Sequence, residues 1–191
     1  LVRQPELLGS AIDVLRQTLA AEQAMYEGEF IVCQEVLIEQ AIPRKPLPNC
    51  ASEFTLHMLS HNGNHSLLAT AEKQIDPDTY IEVGHTVPAV SIPQAFIQMA
   101  EAVTVQMLEQ LEVQQCISNW EFIVTPDNRV ALVEGQLRPS GDSLMKLIKL
   151  ATGINPFAAL LGGEANAHFH RTACIKWLGP KEVVLVDGKY T

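Results

Sequence analysis

The stretch that most constrains this chain is residues 120–134. Trp120-Glu121-Phe122-Ile123-Val124-Thr125 and Arg129-Val130-Ala131-Leu132-Val133-Glu134 are two β-prone runs around Pro126-Asp127-Asn128, which reads as a hairpin. With Asp127-Asn128 as a two-residue turn, Thr125 pairs with Val130, Ile123 with Leu132, and Glu121 with Glu134, the two carboxylates having Cβ atoms about 5 Å apart. A four-residue turn would keep both on one face diagonally, and a three-residue turn with a bulge would separate them. Like charges facing each other in an apolar hairpin destabilise it unless one is protonated or a cation lies between them. A Mg²⁺ or Mn²⁺ bridged by oxygen ligands removes that conflict. Beyond the hairpin Glu134, Gln136 and Arg138 alternate, so carboxylate, amide and guanidinium project from one face of an extended segment. That order suits metal, then metal or phosphate, then phosphate, because the planar fork of arginine matches phosphate geometry.

The surrounding patterns predict a mixed order of elements. Pro5 followed by Leu8, Ala11, Ile12, Leu15 and Leu19 predicts a helix, and residues 30–38 form a nearly continuous apolar run expected of a strand covered on both faces. Pro43, Pro46 and Pro48 make 40–50 a loop. Strands are expected over 53–59 and 66–70, joined at Asn62-Gly63, a strong hairpin signal. From Pro93 a long helix should bury a stripe of Phe96, Met99, Ala100, Val103, Met107, Leu108 and Leu111. Asp142 or Ser143 should cap a last helix that turns Leu144, Leu147, Ile148 and Ala151 to the core and stops at Gly153. Residues 182–191 read as a strand and turn. The fold class expected is α+β, an antiparallel sheet with helices packed on it.

Composition narrows the partners. With 22 acidic against 13 basic residues the net charge is −9, which disfavours a nucleic-acid phosphate backbone and accommodates a site that collects a divalent cation. No run approaches the roughly 18 apolar residues of a membrane helix, and no signal peptide opens the chain, so a cytoplasmic location without membrane contact is expected. Cys33, Cys50, Cys116 and Cys174 lie far apart without a CxxC pair, so neither zinc nor a disulfide framework is indicated. His168 and His170 alternate and could share a strand face, but two imidazoles without a third ligand make no metal site. Leu1 and the unpartnered last strand suggest a fragment.

Glu121 followed by Glu134-Gly135-Gln136-Leu137-Arg138 resembles the Glu…Glu-x-Asn-x-Arg signature that closes the nucleotide site of ATP-grasp ligases, with Gln136 in place of asparagine. The resemblance runs from about Phe30 to Gly163. It implies the C-terminal subdomain of an ATP-grasp fold over 30–165, after a helical segment at 1–29 from a preceding subdomain and before an extension at 166–191. By resemblance, Gln34, Glu35 and Leu37 lie on a hinge strand at the adenine edge, Glu53 holds the ribose, and Lys73 and Arg138 face phosphate with catalytic roles. Glu121, Glu134 and Gln136 correspond to the metal ligands.

Within the superfamily, the segments 79–89 and 137–142 resemble the branch that makes dipeptides from free L-amino acids, where Glu82, His85, Arg138 and Gly141 would surround the amino acid. The implied activity is an ATP-dependent ligation of a small-molecule carboxylate to an amine through an acyl phosphate, with ATP and Mg²⁺ (or Mn²⁺) as cofactors and a homodimer allowed. A biotin-carboxylase-like or purine-pathway ligase, or a nucleotide-binding domain without turnover, are the alternatives. No glycine-rich loop precedes Phe30, and 40–50 is longer and richer in proline than the short turn usual after the hinge, which could displace Glu53. The isolated fragment is therefore expected to be inactive.

Overall fold

A computed structural model describes residues 6, 8–26, 40–48, 51–77, 79, 81–163, 169–177, 185–186 and 189–190. The chain divides into two units, Leu1–Ala41 and Ile42–Thr191. In the first, α1 (Leu8–Tyr26) forms where the proline-led pattern predicts it, with Leu8, Ala11 and Ile12 half-buried and Leu15 exposed. The strand expected over 30–38, with Gln34, Glu35 and Leu37, lies outside the described residues, as do Cys33, Cys50 and His168.

The second unit is built on β1 (Glu53–His61), β2 (Asn64–Ile75), β3 (Glu82–Val87), β4 (Gln115–Val124), β5 (Val130–Gln136) and β6 (Ala173–Lys176), joined in the order β5-β4-β1-β2-β3-β6 with every pair antiparallel. α2 (Gln94–Gln110) packs on one face, and α3 (Leu144–Thr152) with the short α4 (Pro156–Leu160) on the other. A two-stranded ladder, β7 (Leu185–Val186) and β8 (Lys189–Tyr190), stands where the last strand and turn are expected. The α+β class with an antiparallel sheet is thus observed. No described helix is long and apolar enough to cross a membrane.

Local chemistry explains the hairpins. Asn62 and Gly63 both take positive φ, 52° and 72°, as a two-residue primed turn requires, and His61 pairs with Asn64. The second hairpin differs from the two-residue turn expected. Thr125 N donates to Arg129 O at 2.9 Å and Asn128 has φ 61°, so the loop is the three residues 126–128. That slips the register by one, pairing Ile123 with Ala131 and Phe122 with Leu132. An irregularity then leaves Val133 unpaired and restores Glu121 opposite Glu134. Turn and bulge cancel, so a three-residue turn with a bulge, expected to separate the two carboxylates, instead leaves them opposite each other.

Alternation along the strands sorts the core. Phe54, Leu56, Met58, Trp120, Phe122 and Val124 meet Phe96, Ile97, Ala100 and Leu108 of α2. Each such buried side chain contributes about 1.5–3 kcal/mol of transfer free energy. The stripe expected on α2 is corrected here: Met99, Val103 and Leu111 are exposed, while Ile97 and Thr104 are buried. Apolar residues occur around much of that helix, and contact with the sheet, rather than spacing alone, selects the buried side. On the opposite face Leu59, Ala69, Ala71, Val87 and Ile117 meet Leu144, Leu147, Ile148 and Ala151 of α3 as predicted. Ser143 precedes α3 in the left-handed region (φ 60°) without a side-chain cap, and Gly153 (φ 79°) ends it.

Candidate active site

Moving along the face covered by α3 and α4, the same strands change character. In β1 Leu59 gives way to His57, Thr55 and Glu53; in β4 Ile117 gives way to Asn119 and Glu121; in β2 Ala71 gives way to Lys73; in β3 Val87 gives way to His85. The helices cover the apolar half only. The polar half bounds a cavity of about 90 Å³, floored by Thr55, Lys73, His85, Asn119 and Glu121 and walled by Glu82, Gln136, Arg138 and 140–142, with Leu144 the one large apolar side chain.

Lys73 is the hub. Its Nζ lies 2.6 Å from Glu121 Oε2, 3.2 Å from Glu53 Oε1 and 3.2 Å from Glu82 Oε2, and the side chain is 9% exposed. Burial alone would lower its pKa, but the hydrogen bond and charge of Glu121, then Glu53 and Glu82, raise it above the ordinary lysine value. Arg44 Nη2 donates to Glu53 Oε2 at 2.7 Å, so Glu53 joins two cations. Burial would raise the Glu82 carboxyl, yet contacts with His85 and Lys73 outweigh it and hold it below its usual value.

His85 Nε2 is 2.6 Å from Glu82 Oε1 but off the axis of a hydrogen bond, and its ring meets Trp177 edge to face. Glu82, His85 and Asp142 bring one ligand atom each to within 4.8 Å of one another. His57, fully buried with Nε2 3.3 Å from Thr55 Oγ1, has its pKa lowered to about 3, first by burial and then by the charge of His85.

The hairpin supplies the other wall. Glu121 faces Glu134 in the ladder, and Asn119 faces Gln136. Asn119 Nδ2 lies 3.3 Å from Glu121 Oε1, and Gln136 Nε2 donates to Glu134 Oε1 at 2.6 Å. Glu134 is exposed at the rim and does not line the cavity. Arg138 is exposed, its Nη1 donating to Pro139 O at 3.0 Å, and it lines the cavity. Gly135 sits under Trp120, where an added Cβ would come 2.6 Å from the ring. Gly141 lines the cavity, and a Cβ there would meet nothing within 4 Å.

Of the residues singled out from sequence, Lys73, Glu82, His85, Glu121, Gln136, Arg138 and Gly141 line one cavity, Glu53 touches it through Lys73, and Glu134 flanks it. Sequence reasoning missed Arg44, Thr55, Asn119 and Ser140, and weighed Asp142 only as a cap. Thr55 and Asn119 carried a usable signal, standing two residues from Glu53 and Glu121 on the same strand face.

No family model and no curated protein sequence matches the chain. Solved structures do. An L-amino acid ligase from Bacillus licheniformis superposes with TM-score 0.59 at 22% identity over 71% of this chain and 36% of that one. A putative ATP-grasp superfamily protein from Archaeoglobus fulgidus gives 0.54 at 17% identity over 66% and 39%. The biotin carboxylase domain of a thermophilic 2-oxoglutarate carboxylase, bound to ADP, gives 0.51 at 13% over 64% and 28%. The chain spans about a third of the length of these structures. What is similar is the fold, that of part of an ATP-grasp protein.

Proposed function

We propose that this chain carries the cation-, phosphate- and substrate-binding face of an ATP-dependent carboxylate–amine ligase that forms an amide bond through an acyl phosphate. The observation that supports it most is the clustering of Lys73, Glu121, Gln136 and Arg138 with Glu82, His85 and Gly141 in one polar cavity on the bare half of the sheet. Glu121, Glu134 and Gln136 present hard oxygen donors suited to Mg²⁺ or Mn²⁺. A cation held there would neutralise charge on the transferred phosphoryl group.

Each residue has a task that follows from its position. Lys73, already held among three carboxylates, would stay protonated and present a fixed positive charge to phosphate oxygens. Arg138, exposed on the wall, is free to reach a phosphoryl group or the developing oxyanion of the tetrahedral intermediate. Glu82 and Asp142, with His85 between them, form a negative corner that suits the ammonium group of an amino acid. Gly141 leaves room for its backbone. Glu53, paired with Arg44 and Lys73, would receive the ribose hydroxyls, and Gln34, Glu35 and Leu37 the adenine. The divisions at 29/30 and 165/166 follow the same reading. Positioning and charge neutralisation would supply the rate.

In the full-length protein Glu121→Ala should lower kcat on the order of a hundredfold or more, since metal-mediated charge stabilisation is worth several kcal/mol. ADP release on pairs of L-amino acids is the assay. Nucleotide binding without ADP release on any pair would instead favour a domain that holds ATP without turnover.

A further inference from the structure

The ligand set read from sequence ends with Gln136, a longer amide than the resembling signature carries. Directly across the ladder stands Asn119, which is 3% exposed and lines the cavity. Its Nδ2 lies 3.3 Å from Glu121 Oε1, while Oδ1 is buried without a hydrogen-bond partner. A buried carbonyl oxygen without a donor is costly, and such atoms are rare unless something else satisfies them. Asn119 is thus a neutral oxygen donor beside an anionic one.

The separation is informative. Two oxygens bound about 2.1 Å from one octahedral cation at right angles lie about 3 Å apart. Rotation of the Asn119 amide by half a turn would put Oδ1 near the present place of Nδ2, about that far from Glu121 Oε1. Such a rotation exchanges one hydrogen bond for one chelate bite within the outline of the same amide, and carries Nδ2 to the place Oδ1 now holds. Gln136, whose Nε2 is 2.6 Å from Glu134 Oε1, has the same option on the other strand.

We propose that Asn119 is a further oxygen ligand of the divalent cation, chelating it together with Glu121 by rotation of its amide. The inference rests on the cation reading of Glu121 and Glu134 given above. In a ligand role Asn119 offers a carbonyl oxygen, which aspartate can replace. As a mere tether it offers an N–H to Glu121, which aspartate cannot.

The test is Mn²⁺ binding to the full-length protein, followed by electron paramagnetic resonance of the free ion, with melts in EDTA alongside. Asn119→Leu should weaken Mn²⁺ roughly tenfold or more. Asn119→Asp should bind as tightly as wild type or more tightly, although in EDTA it melts lower because two carboxylates then adjoin. If Asn119→Asp loses Mn²⁺ as fully as Asn119→Leu, the residue is a tether and the proposal falls. It falls equally if Asn119→Leu binds normally while Glu121→Ala does not. Should Glu121→Ala also bind normally, the cation reading of the whole site fails, and this proposal with it.

Discussion

Two halves of one sheet face, made by the same strands, behave as different materials. Where α3 and α4 cover it, Leu59, Ala71, Val87 and Ile117 meet Leu147, Ile148 and Ala151, and every contact favours the fold. A few residues further along, Glu53, Glu82 and Glu121 crowd around Lys73, with His57 and His85 buried beside them. The first half is apolar and covered, whereas the second opens into a cavity and gathers charge around largely buried groups. Three carboxylates against the Lys73 ammonium and the Arg44 guanidinium leave one negative charge over, which a cation from solution would relieve. The comparison teaches that the covered half holds the sheet together, and the bare half is maintained despite its cost.

The sharpest way to break that contrast is to remove one pillar from each half. Lys73→Met would leave Glu53, Glu82 and Glu121 without their shared counter-ion, a change of about 3–5 kcal/mol for a buried network. Ile148→Ala, at a position with no exposure, should cost about 2–4 kcal/mol through lost transfer and a residual cavity. Chemical denaturation with and without Mn²⁺ separates the mechanisms. Measured against wild type at the same Mn²⁺ concentration, the deficit of Lys73→Met should shrink while that of Ile148→Ala stays the same, because cation binding stabilises wild type and Ile148→Ala alike. Absence of any Mn²⁺ stabilisation in wild type and in both variants would mean that the polar half holds no cation.

His57 sharpens the contrast by pH. Its folded-state pKa is depressed to about 3 against an ordinary 6.5, so below pH 6.5 the unfolded chain takes up a proton that the folded chain refuses. The stabilising contribution is complete above pH 6.5 and is lost as pH falls, with a slope approaching about 1.4 kcal/mol per pH unit. Replacing the imidazole by His57→Leu should flatten the stability profile between pH 6.5 and 5, above the ordinary carboxylate range. His85, which adjoins it, is retained in both proteins, so the difference reports on His57. Parallel profiles would show that His57 is protonated in the fold.

How much of this was legible depends on how local the cause is. Asn62-Gly63 announced its turn because both residues accept positive φ, and α3 announced its buried side because its apolar residues, exposed Leu150 apart, occupy one side. β3 and β6 were not read from periodicity: Gly84 interrupts β3, and its role is tertiary, since a Cβ there would come 2.4 Å from Ile175 O. The charge network was hidden for the same reason. Glu121 is 48 residues from Lys73, and no spacing rule links them. Likewise the facing of Glu121 and Glu134 was expected from a two-residue turn but arises from a three-residue turn and a bulge.

That last difference sets the smallest effect. Facing carboxylates in a bare hairpin repel, and relieving the repulsion by Glu134→Gln should raise stability in EDTA by up to about 1 kcal/mol. Here each partner is already compensated, Glu121 by the Lys73 ammonium at 2.6 Å and Glu134 by the Gln136 amide at 2.6 Å. Glu134 is also exposed, so water screens what remains. The expected gain therefore shrinks to a few tenths of a kcal/mol, read as a small rise in melting temperature in EDTA. In the Lys73→Met background the screening ammonium is gone, and the same Glu134→Gln change should yield a larger gain. The two substitutions form a double-mutant cycle whose coupling measures how far Lys73 quiets the pair. A coupling of zero, with Glu134→Gln neutral in both backgrounds, would show that Glu121 and Glu134 do not sense each other across the ladder, and the shared cation would lose its support.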